Sequence, residues 1–266
     1  DDLFVNTQNP AGADIIYHIG SGGKIVVRSQ MLGNGGAGGG AMANLIIENN
    51  GVLELRGGGS ACSNISASRN AFTFDPGAVV WYNNSAAQTI EPLLPYDVLR
   101  AGGGGLKSLA GETTVAGQLW LDGSSIQLND YNLQLGSATL TGANTSNYLK
   151  TNSIGALWRD VGSTSTIFPV GAGSYNPATL ENIGAADGFG VRVFDGVFSD
   201  GESGYDITAG VVNRSWAIHE ATPFDSEIKL TLQWQSSHER PGFNRNACYV
   251  SSYESSGWTA GTAGTA

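Results

Sequence analysis

Leu106-Lys-Ser-Leu-Ala-Gly-Glu-Thr-Thr-Val-Ala-Gly-Gln-Leu-Trp-Leu-Asp-Gly-Ser-Ser-Ile-Gln-Leu-Asn-Asp-Tyr-Asn-Leu-Gln-Leu-Gly-Ser-Ala-Thr-Leu-Thr-Gly142 is the stretch whose reading decides the fold class. Leu119/Leu121, Ile126/Leu128 and Leu133/Leu135 are apolar at i and i+2, and Leu140 follows. That spacing puts both side chains of a pair on one face of a strand. Gly, Asn, Asp and Ser separate the pairs, the residues that turn a chain tightly. The pairs recur too closely for independent hairpins, so the pattern predicts a solenoid in which each coil buries its inward face on the next. The expected inward residues are Leu45, Ile47, Leu53, Leu55, Leu119, Leu121, Ile126, Leu128, Leu133 and Leu135.

Outward from this stretch the same texture continues. Ile25-Val-Val and Leu45-Ile-Ile lie about 20 residues apart, and Val79, Leu99, Leu119 and Leu140 follow at steps of 20 to 21. Such a step suits one coil of a three-sided parallel β-helix. The first 20 residues read as an entry strand or cap. The glycine runs near Gly33 and Gly102 read as corner loops. Neither carries the Gly-Lys-Ser/Thr ending of a phosphate-binding loop.

At Asn144-Thr-Ser-Asn the texture changes. Ile228, Leu230, Leu232 and Trp234 alternate with Lys229, Thr231 and Gln233, the pattern of a half-buried antiparallel strand. Longer strands of this kind, separated by turns, fit a β-sandwich. The expected fold is all-β. A right-handed parallel β-helix spans residues 1–147, and an Ig-like antiparallel sandwich module, truncated at its C-terminal end, spans 148–266. Trp158, Trp216 and Trp234 are expected in the sandwich core.

Composition narrows the function. The 266 residues carry 39 glycines, only 14% charged residues and a net charge of −10. So few basic residues argue against nucleic acid as a partner, and no 18-residue apolar run exists to span a membrane. Cys62 and Cys248 show no metal-ligand spacing and are read as two lone thiols, with a disulfide between them as the other reading. The chain opens on Asp1 without Met, which reads as a trimmed piece of a longer modular chain.

Candidate chemistry is sparse. His18, His219 and His238 stand in separate contexts, and no Gly-x-Ser-x-Gly elbow appears. Parallel β-helices also carry polysaccharide lyases and hydrolases, which need paired carboxylates or calcium with a basic residue. Only Glu48 and Glu54 are candidates to meet on adjoining turns, and solvated turn carboxylates are the favoured reading of these acids. The segment Asp195 to Asp206 is the densest in acids, and Asp195, Asp200, Glu202 and Asp206 are candidate ligands for calcium, which takes six to eight oxygens. A solvated polar hairpin explains the same residues. Trp81, Tyr82, Trp120 and Tyr131 are candidate carbohydrate contacts, with core packing as the other reading.

Ala87 to Leu119, followed by Phe168-Pro-Val-Gly, Tyr175-Asn-Pro, Val212-Asn-Arg-Ser-Trp216-Ala-Ile and Leu230-Thr-Leu-Gln-Trp234, resembles the modular cell-surface proteins of Bacteroidetes exported by the type IX secretion system. The resemblance covers roughly residues 80 to 258. It implies a secreted or cell-surface location and no catalytic motif. The expected partners are other domains of the same chain, surface glycans or the secretion machinery. The function expected is therefore a non-catalytic structural or adhesive segment; the alternative is a polysaccharide-binding or polysaccharide-degrading β-helix protein.

Overall fold

The computed structural model describes residues 15–28, 31–32, 43–60, 62–63, 70–223, 226–254, 257–261 and 264. It is all-β. Among these residues the one helical element is a short 3-10 turn, Ser236–His238, and no helix is long and apolar enough to cross a membrane.

One long sheet orders the first part. Its strands Lys24–Val27, Val52–Leu55, Val79–Asn83, Tyr96–Gly102 and Thr113–Asp122 pair in parallel, and Thr139–Thr141 adds to the last. The Cα partners form one continuous row: Ile25, Leu53, Val80, Leu99, Leu119 and Leu140. A second parallel sheet stacks Gly59–Ser60, Gln88–Ile90, Lys107–Leu109, Ile126–Gln127, Leu149–Lys150 and Val170–Gly171. A third stacks Ile15–Ile19, Ala43–Ile47 and Asn70–Phe74. Parallel pairing across such short strands places their side chains in columns: the inward column of the long sheet is apolar at every level, whereas that of the second sheet passes from Gln88 and Lys107 to Ile126, Leu149 and Val170.

All ten residues expected to face inward are buried, none more than 3% exposed. The spacing is partly different. Val79 pairs with Val98, so the inward column runs through Val80. Ile25 and Leu45 do not occupy one column, because they lie in different sheets. From Ile25 the row advances by 28 and 27 residues to Leu53 and Val80, and only then by 19, 20 and 21.

The glycine run at Gly102–Gly105 is a tight corner. A Cβ at Gly105 would stand 2.1 Å from the carbonyl oxygen of Ala86, and one at Gly103, where φ is +80°, 2.4 Å from the amide nitrogen of Asn84. Only glycine allows this corner to nest on the one before it. The other run, at residues 33–42, lies outside the described residues.

Parallel pairing continues past residue 147. Leu133–Gly136 pairs in parallel with Leu157–Val161, and Leu149–Lys150 with Val170–Gly171. Antiparallel pairing begins at Leu157–Val161, which is followed across the sheet by Asp187–Phe194 and Ser215–Glu220. Thr166–Phe168, Ala178–Asn182 and Ile228–Leu232 form a separate antiparallel sheet. Trp158 faces Gly190 across the strands, where a Cβ would meet its ring at 2.4 Å, so the indole covers the glycine. Trp158, Trp216 and Trp234 are all half-buried.

Candidate functional site

Adjacent residues of a strand point to opposite faces, and this separates the aromatic candidates. On the outward face of the long sheet, register aligns Glu54, Trp81, Arg100, Trp120 and Thr141. The Arg100 guanidinium lies between two indoles, 3.8 Å from the Trp81 centroid and 3.9 Å from that of Trp120. Lys24 Nζ, reaching across from two strands away, stands 4.9 Å over the Trp81 ring. Such contacts contribute about 0.5–2 kcal/mol each; two cations lie over the Trp81 ring and one over Trp120, which stays 37% exposed.

Tyr82 points inward and is fully buried. Its hydroxyl lies 2.8 Å from that of Tyr96, and accepts from the Glu91 N–H at 2.9 Å while Tyr96 donates to the Glu91 carbonyl. Tyr82 is therefore a hydrogen-bonded core residue and not a surface contact. Tyr131 sits in a turn, half-buried against the core. The four aromatic candidates do not form one strip.

The acids separate as well. Glu48 accepts from the Ser21 N–H and pairs with His18 at 2.8 Å. Glu54 instead sits under Lys24, Arg56 and Asn83, with its side chain wholly inaccessible. Burial opposes its ionisation, but hydrogen bonds from Arg56, Lys24 and Asn83 outweigh that and hold its pKa at about 2. A carboxylate so held is a permanent anion, unsuited to proton transfer near neutrality.

In the acidic segment, Asp195 pairs with Arg214 and Asp206 with Arg240, each at 2.8 Å, and Glu202 pairs with Arg192. Three of the four calcium candidates thus face three different arginines. Among the described residues no group of three or more His, Cys, Asp and Glu gathers into a metal-holding arrangement. Sequence position hid this, because Arg214 and Arg240 are brought back from later strands and turns.

Two arrangements were not visible in the sequence. The first is a polar knot. Ser174 Oγ lies 3.1 Å from His238 Nε2, and Arg214 Nη2 lies 3.0 Å from the same nitrogen. Arg214 Nε also donates to Asn176 Oδ1 at 3.0 Å. A serine beside a histidine suggests nucleophilic catalysis, but a guanidinium pointing at Nε2 occupies the lone pair a general base needs. Burial first, and then Arg214, push the His238 pKa down, with Asp195 opposing. The second arrangement is a cleft of about 520 Å³ beside the knot, with Arg192, Phe194 and Glu202 in its lining.

Lys107 is the other unexpected group. It is fully buried in the second sheet's inward column beside Gln88, and Nζ donates to the Asn84 carbonyl at 2.9 Å. Burial lowers its pKa to about 8. The same carbonyl receives the Gly105 N–H, so Lys107 fastens the glycine corner from inside. The free thiol of Cys248 is half-buried and lies near backbone carbonyls. No protein-family model, no curated protein and no solved structure matches this chain.

Proposed function

We propose that the chain is a non-catalytic structural and adhesive segment of a larger secreted or cell-surface protein. In this reading the parallel sheets are the faces of a right-handed parallel β-helix whose pairing runs on past residue 147 to Val170–Gly171, and the antiparallel strands form an Ig-like β-sandwich. The observation that carries the proposal is the inward row from Ile25 to Leu140, unbroken across six strands. Parallel crossovers are right-handed in nearly all cases. A stack in which every level hydrogen-bonds to the next resists bending and stretching, which suits a spacer or stalk. The outward ladder of Trp81, Arg100 and Trp120 adds cross-strand ties to the same face. The resemblance to type IX secreted surface proteins of Bacteroidetes supports the extracellular placement.

Turnover on a panel of neutral and acidic polysaccharides, with single-molecule stretching of the chain between handles, tests this. The proposal expects no new reducing ends or unsaturated products, and a mechanical unfolding force well above that of a helical domain of similar length. Release of sugar products, or unfolding at low force, overturns it.

A further inference from the structure

The antiparallel region ends on two edge strands, Ser215–Glu220 and Ile228–Leu232, and among the described residues each pairs with one neighbour only. Along Ile228–Leu232 the inward residues are less covered than those they face. Ala178 and Leu180 are fully buried, whereas their partners Leu232 and Leu230 are half-buried, as is Ile228. The backbone is open on the same side. The Ile183 N–H donates to the Glu227 carbonyl, and the Gln233 N–H to the Pro177 carbonyl. Hydrogen bonding alternates along an antiparallel ladder, so Glu227, Lys229, Thr231 and Gln233 turn their backbone groups toward Ala178–Asn182. Ile228, Leu230 and Leu232 turn theirs to the free side.

Edge strands commonly carry a device against further pairing, such as a proline, a bulge or a charge aimed inward. Ser215–Glu220 has one: Glu220 is the Cα partner of buried Phe189 and so stands in the inward column. Ile228–Leu232 has no proline and an unbroken register, and its one charge, Lys229, lies on the outward face beside Glu181. The strand is also complementary to itself. Antiparallel pairing across a two-fold axis at Leu230 sets Leu230 against Leu230 of the second copy and Ile228 against Leu232. It sets Lys229 against Thr231 and Glu227 against Gln233. Apolar residues thus meet on the inward side, and each charge meets a neutral polar residue on the outward side. The axis falls on a residue whose backbone groups face the free side, so ladder and side-chain pattern agree.

We propose that Ile228–Leu232 pairs with the same strand of a second copy of this chain, joining two sheets of Thr166–Phe168, Ala178–Asn182 and Ile228–Leu232 across a two-fold axis. Such an interface is isologous and closes at two copies. Two short strands bury less than a standard interface, so the dimer is expected to dissociate at about 10–100 μM. The pairing does not depend on the β-helix or adhesive reading, and either can fail alone.

Sedimentation velocity of the whole chain below, within and above that range is expected to show a reversible monomer–dimer equilibrium. Thr231 is exposed, so its substitution leaves the folded chain intact. Thr231→Lys sets like charges opposite each other twice per dimer and is expected to weaken it about fivefold. Thr231→Glu faces Lys229 twice and is expected to tighten it about fivefold. With a net charge of −10, the general effect runs the other way, since an added lysine eases repulsion between copies and an added glutamate raises it. Ser252→Lys, on the exposed face of the hairpin strand Ser251–Glu254, reads that general effect and is expected not to weaken the dimer. A chain that stays monomeric at every concentration overturns the proposal. So does a Thr231→Lys variant that dimerises as tightly as Ser252→Lys, or a Thr231→Glu variant that dimerises less tightly than the parent.

Discussion

Thr151 and Val193 exchange two hydrogen bonds: the hydroxyl donates to the Val193 carbonyl at 2.6 Å and accepts from its N–H at 3.0 Å. One side chain thus completes the edge of a parallel pairing, at the end of Leu149–Lys150, and satisfies the backbone of an antiparallel strand 42 residues later. Both residues are buried. Thr151→Val keeps the shape and removes both bonds, leaving a buried N–H and C=O unpaired. The expected loss is about 1–3 kcal/mol, read from urea unfolding. A loss under about 0.5 kcal/mol means the two backbone groups find other partners.

Leu121 is 1% exposed in the inward face of the long sheet, between Ala101 and the strand end. Leu121→Ala is expected to cost about 2–5 kcal/mol through the cavity it leaves. Leu121→Asp places an unpaired charge in the stacked interior and is expected to exceed about 4 kcal/mol. Melting and soluble yield report both. An Asp variant that melts like the parent places Leu121 on the outside.

The ten inward residues were legible because every one belongs to an apolar i, i+2 pair, and period 2 is set by strand geometry alone. The same rule contained the answer for Trp81 and Tyr82: neighbours on a strand cannot share a face, so one had to be core. The 28- and 27-residue steps were not legible, since an apolar doublet such as Leu45-Ile46 looks the same whichever sheet it joins. The arginine partners of the acidic segment were hidden for a different reason. Arg192, Arg214 and Arg240 come from a strand, a connection and a turn that only the folded antiparallel region brings to one side. The knot around His238 has the same origin.

Calcium has little to gain at Asp195, Glu202 and Asp206, because it must displace three arginines already paired there. Ligand binding raises melting only by preference for the folded state. Melting curves in millimolar calcium and in chelator are expected to superimpose, for the parent and for Asp200→Asn alike. A rise of several degrees in calcium that Asp200→Asn abolishes contradicts this arrangement.

His238 ties folding to pH. Its folded-state pKa is lowered, by burial and by Arg214, so the unfolded chain binds a proton more readily than the native one. Its contribution is fully present above the unfolded value of about 6.5 and is lost as pH falls below it toward the folded pKa. The carboxylates with lowered pKa, such as Glu54, lose their contribution only below about 4.5. Between about pH 5 and 6.5 stability is therefore expected to fall with falling pH, and His238→Gln is expected to flatten that slope. An unchanged slope in the variant assigns the pH dependence elsewhere.

Stacking of successive parallel strands in a fixed register is the claim on which the structural reading rests, and a cross-link tests it most directly. Gln118 and Thr139 are Cα partners on neighbouring strands, both on the outward face. Parallel neighbours stand about 4.8 Å apart, within reach of a disulfide, whereas a two-residue offset is not. In a Cys62→Ser, Cys248→Ser background, Gln118→Cys with Thr139→Cys is expected to oxidise to an intramolecular disulfide in near-complete yield without loss of folded signal. Gln118→Cys with Thr141→Cys is expected to remain reduced. Failure of the first pair to cross-link, or equal cross-linking of the second, contradicts the account.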